Sequence, residues 1–75
     1  MTDFEIIDHK GRKFIVRPMA IERGFNLFDN MGYRHEVGLK LPANTWIKLG
    51  GDKRVTPFEY DVQEIGRLIE NHYKN

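Results

Sequence analysis

The chain contains no cysteine and no serine. The first absence excludes a disulfide staple, a thiol nucleophile and a thiolate zinc site, and it sets a reducing cytoplasm as the expected location. The second removes the commonest hydroxyl nucleophile and leaves Thr2, Thr45 and Thr56 as the aliphatic hydroxyls. Nucleophilic catalysis needs such a group beside a base. Thr56 is instead expected to cap a helix, and the other two have no placed partner. Long apolar runs are missing as well: no stretch approaches the roughly 18 residues of a membrane span. The segment Met1-Thr2-Asp3-Phe4-Glu5 is acidic where a secretory signal would be basic. A soluble, unprocessed protein with no membrane partner is expected.

Metal-ligand spacing is also lacking. The histidines, His9, His35 and His72, form no H-x-x-x-H pair, and neighbours such as Asp8-His9 and His35-Glu36 point to opposite faces of a strand. Asp61 and Glu64 fall on adjacent helix positions, but a solvated helix face accounts for them without acid–base chemistry. The loop Gly50-Gly51-Asp52-Lys53-Arg54 has glycines and cations, yet not the G-x-x-x-x-G-K-[ST] spacing of a phosphate-binding loop. A protein that is not an enzyme and uses no cofactor is the expectation.

What is present suits one small folded domain over residues 1–75. Forty percent of the residues are hydrophobic and nine are aromatic, enough for a core despite 31% charge. The core is thin at this length, so a stability of roughly 3 to 5 kcal/mol is expected. Net charge is only +1. Its distribution is uneven: residues 10–54 carry ten Lys/Arg against four acids, and both terminal segments are acidic. A basic middle is a weak pointer to a polyanion.

Periodicity and punctuation predict the elements. Phe4 to Asp8 and Lys13 to Arg17, flanking His9-Lys10-Gly11-Arg12, read as a β-hairpin. Ile21, Phe25 and Phe28 fall at i, i+4 and i+7, which predicts an amphipathic helix over Met19 to Met31 with Gly32 as its stop. Tyr33 to Leu41 and Thr45 to Leu49 read as strands, and Lys53 to Val55 as a short edge pairing. Thr56-Pro57-Phe58-Glu59 combines a hydroxyl cap, a proline at the first helical position and a glutamate three residues past the cap, announcing a terminal helix. The expected fold is α+β: a small, mainly antiparallel sheet with two helices in the order β-β-α-β-β-α. Phe14, Val16, Ile21, Phe25, Phe28, Ile47, Val62, Ile65 and Ile69 are its expected core.

Such a chain is expected to act by contact. A small cytoplasmic protein-binding module is the leading expectation, of the regulator or inhibitor type common among phage and mobile-element accessory proteins. Tyr33, Trp46, Tyr60 and Tyr73 are the candidate anchors for a protein partner. The alternative is a nucleic-acid-binding module whose two turns bring together Lys10, Arg12, Lys13, Lys53 and Arg54, with Trp46 or Tyr33 near enough to stack on a base.

Overall fold

Two turns of one design shape this molecule: Asp8-His9-Lys10-Gly11 and Asp29-Asn30-Met31-Gly32. In each, the glycine N–H donates to the aspartate carbonyl at 2.9 Å. Each glycine takes a left-handed φ, +78° at Gly11 and +84° at Gly32, which costs a residue without Cβ nothing. The aspartate carboxylate then folds back onto the backbone. Asp8 Oδ1 accepts from the amides of Lys10 (3.0 Å) and Arg12 (2.8 Å), and Asp29 Oδ1 from those of Met31 (2.9 Å) and Tyr33 (3.1 Å). A turn followed by a left-handed glycine is a favoured link between antiparallel strands.

The computed structural model describes residues 2–21, 23–52 and 59–74. Strands β1 (Phe4–Ile7), β2 (Lys13–Pro18), β3 (Gly24–Phe28), β4 (Arg34–Lys40) and β5 (Thr45–Gly51) form one five-stranded antiparallel sheet, each strand beside the next in the chain. Helix α1 (Val62–Lys74) follows. The chain is thus a small α+β domain of order β-β-β-β-β-α, not the β-β-α-β-β-α arrangement with two helices.

The correction falls on Met19 to Met31. Gly24–Phe28 is a central strand, paired on one side with β2 (Val16 opposite Leu27) and on the other with β4 (Leu27 opposite His35). Both of its faces are partly covered, so the alternation that marks a half-buried strand is blurred and a helical spacing of aromatics survives by coincidence. Gly32 closes a hairpin and does not stop a helix.

Alternate residues of the sheet face α1. Phe14 and Val16 of β2, Leu27 of β3, Val37 of β4 and Trp46 of β5 are buried there with Ile6, Tyr60, Ile65 and Ile69. Four of the expected core residues, Phe14, Val16, Ile65 and Ile69, belong to this cluster, and Phe25 and Val62 pack at its margin. Phe28 and Ile47 lie half-buried on the opposite face, and Ile21 is 58% exposed.

Helix α1 starts at Val62, capped by Asp61. The Asp61 carboxylate accepts from the amides of Gln63 (2.9 Å) and Glu64 (3.3 Å), and its carbonyl accepts from Ile65 at 3.0 Å. The expected cap at Thr56 and the edge pairing at Lys53 to Val55 lie outside the described residues. Asp61-x-x-Glu64 is itself a capping signature. Glu64 turns away from the cap to the first hairpin, where its carboxylate accepts from the His9 amide (2.8 Å) and lies 2.7 Å from His9 Nδ1. At the other end His72 stacks on Phe4, ring centroids 3.6 Å apart. The helix therefore runs antiparallel to β1 and touches both outer strands, β1 and β5, on one face of the sheet.

Candidate binding groove

Packing of α1 against β5 is set by one residue pair. Gly66 presents bare backbone to the Trp46 ring, and the indole settles against it. Trp46 is 6% exposed, its Nε1–H donates to Glu70 Oε1 at 2.6 Å, and its carbonyl accepts from Gln63 Nε2 at 2.8 Å. The ring is tilted against Phe25, with centroids 5.9 Å apart, and Phe25 in turn meets Tyr73 at 6.1 Å. Between the last turns of α1 and the neighbouring ends of β3, β4 and β5 an apolar groove remains open, about 350 Å³ in volume. Phe25, Leu39, Trp46, Ile69 and Tyr73 line it, with Arg23, Glu70 and Lys74 completing the wall and rim.

The four candidate anchors part company. Trp46 and Tyr73 share this groove, and Tyr73 is 57% exposed. Tyr33 stands half-buried in the second aspartate turn. Tyr60 is a core residue, ringed by Phe14 (6.3 Å), His35 (5.4 Å) and the Lys48 ammonium over its face at 4.4 Å. Burial pushes its phenol up to about 12.

The basic turn is engaged in structure. Arg12 Nε donates to Asp8 Oδ2 at 2.8 Å, and its Nη1 donates to the Glu59 carbonyl at 2.8 Å, tying the hairpin to the segment that leads into α1. Lys13 lies 3.6 Å from Glu5, on the sheet face opposite α1. Lys10 is exposed. Lys53 and Arg54 lie outside the described residues, and with them the proposed convergence of the two basic turns.

The buried aspartates hold their charge by hydrogen bonding. Burial pushes the Asp8 carboxyl up, but the Arg12 amide and guanidinium and the Lys10 amide outweigh it and hold its pKa below the ordinary range. Asp29 is the same: burial raises it, while His35, whose Nε2 lies 2.8 Å from Oδ2, and the amides of Tyr33 and Met31 lower it further. Among the described residues no three His, Asp or Glu side chains gather as a metal site, and no helix is long and apolar enough to cross a membrane.

Phe25 and Ile69 were expected as core, and both are also groove walls. Arg23, Leu39, Glu70 and Lys74 carried no signal in the sequence, because only the crossing of α1 over β5 brings them together. Comparison with protein-family models, with curated proteins and with solved structures finds no match to this chain.

Proposed function

We propose that this domain is a non-enzymatic binding module that holds a protein partner in the groove between α1 and the ends of β3–β5. The observation that supports it is the meeting of Trp46 and Tyr73 with Phe25, Leu39 and Ile69 around one open apolar space. Aromatic residues in a concave apolar setting are the usual anchors of an interface. The groove's volume, about 350 Å³, sits at the small end of binding pockets, which run from about 300 to 1,000 Å³. It suits one or two large side chains of a partner.

The test is affinity capture with the tagged protein and with Tyr73→Ala, each with and without nuclease. Tyr73 is exposed, so its removal is expected to leave the helical circular-dichroism signal intact. A protein captured by the wild type and lost with Tyr73→Ala supports the groove. Equal capture by both places the interface elsewhere, and release by nuclease favours nucleic acid.

A further inference from the structure

Resting on the groove as the partner surface, we propose that its occupant is a second copy of this chain, related by a two-fold axis that crosses α1 at its last turn. Two observations point there. The first is the charge of the rim. Glu70 and Lys74 are both exposed and stand four residues apart on α1, acid first, the spacing and order at which a helix pairs such side chains within itself. They do not pair. Glu70 Oε1 instead accepts from the Trp46 indole N–H at 2.6 Å, and among the described residues Glu70 Oε2 and the Lys74 ammonium have no partner. Accepting a hydrogen bond does not discharge a carboxylate, so the rim carries both signs. Its third charged residue, Arg23, already has an interaction of its own.

A segment bearing only acids would meet like charge at Glu70, and one bearing only bases would meet it at Lys74. A two-fold copy avoids both, because the axis reverses the direction of the second helix. With the axis level with position 72, Glu70 lies opposite Lys74 of the second copy, and Lys74 opposite its Glu70, so one patch complements itself. The second observation is the apolar surface at the same rim. Tyr73 stands next to that axis and is 57% exposed, so its ring comes over the groove of the second copy, whose volume of about 350 Å³ admits a large side chain. Leu41, 54% exposed, follows two residues after the groove wall at Leu39. The patch is small, and interfaces that bury less than about 1,200 Å² are weak and transient. Monomer and dimer are therefore expected to exchange.

The experiment is a dilution series of the 15N-labelled protein, read by NMR and by sedimentation equilibrium. The Trp46 indole, Ile69 and Tyr73 signals are expected to move with concentration as the mass rises from monomer toward dimer. Lys74→Glu, which sets acid against acid at both contacts, should raise the midpoint about tenfold, the scale of two exposed ion pairs turned repulsive. Glu70→Lys should do the same by setting base against base. An equal mixture of the two variants should restore association, since each supplies the charge that the other lacks. Glu70→Lys also takes the acceptor from the Trp46 indole, so its urea melt is recorded, and if it unfolds, Lys74→Glu, which breaks no side-chain contact among the described residues, decides alone. A mass that stays monomeric to the solubility limit, a dimer that Lys74→Glu leaves unchanged, or shifts that spare Trp46, Ile69 and Tyr73 each overturn the second copy as occupant. The groove is judged apart from it: a different protein captured by the wild type and lost with Tyr73→Ala keeps the groove while the second copy falls.

Discussion

The indole of Trp46 lies so close to the Cα of Gly66 that a Cβ at position 66 would fall onto the ring atoms Cγ, Cδ1 and Cδ2. This contact sets how near α1 comes to β5. It also reverses a familiar rule: glycine inside a helix ordinarily costs about 1 kcal/mol relative to alanine, yet here alanine is the worse residue.

Gly66→Ala is accordingly expected to destabilise the protein by about 1 to 3 kcal/mol, the range for overpacking a core. In a Trp46→Ala background, where the ring is gone, the same change should stabilise by up to about 1 kcal/mol. Urea melts of the four proteins check both signs. A destabilising Gly66→Ala in the Trp46→Ala background would show that the contact is not the cause.

Acid should loosen the two aspartate turns. Asp8 and Asp29 have folded pKa values depressed below the ordinary 3.8, so the stability they contribute is present above that value and is lost as pH falls through the lower, folded values. Urea midpoints are expected to hold down to about pH 4 and drop below it. The drop should shrink in Asp8→Asn and Asp29→Asn. Asp8→Ala at pH 7 is expected to cost about 1 to 3 kcal/mol, because it leaves a partly buried guanidinium and two amides short of an acceptor.

Tyr60 should be the late-titrating phenol. Its folded pKa, raised by burial from 10.0 to about 12, means the folded state keeps its proton longer than the unfolded chain. Stability is therefore level below about pH 10 and falls as pH rises from there toward the folded value. Absorbance at the phenolate band during alkaline titration should show a step near pH 12 that Tyr60→Phe removes. A step that survives the substitution belongs to another residue.

Core substitutions should separate the two faces of the sheet. Ile65→Ala removes a fully buried side chain and is expected to cost about 2 to 5 kcal/mol, enough to unfold a marginal domain. Ile21→Ala, at a residue 58% exposed, should stay within about 0.5 kcal/mol of wild type. Thermal melts distinguish them, and a similar loss at both sites would place Ile21 in a core that the fold does not give it.

Local chemistry made part of this structure legible. The first hairpin, the strands at Arg34–Lys40 and Thr45–Gly51, and a terminal amphipathic helix follow from alternation, turn residues and helical spacing that neighbouring residues supply by themselves. His9-Lys10-Gly11-Arg12 was readable as a turn from its glycine, and Asp29-x-x-Gly32 repeats the spacing of Asp8-x-x-Gly11. The second was overridden by the spacing of Ile21, Phe25 and Phe28, since propensity and period are silent about whether neighbouring strands cover both faces of a segment.

The sequence by itself determined the first hairpin turn, which residues are apolar enough to be buried, and the terminal amphipathic helix. Only the tertiary structure decided that Gly24–Phe28 is a central strand, that Tyr60 is core while Tyr73 is surface, and that Trp46 meets Gly66. The physical reason is separation along the chain. A turn is fixed by hydrogen bonds across two to four residues, such as Asp29 to Met31 and Tyr33. Trp46 and Gly66 belong to different elements, and no local preference encodes the angle at which α1 crosses the sheet or the groove that this crossing leaves open.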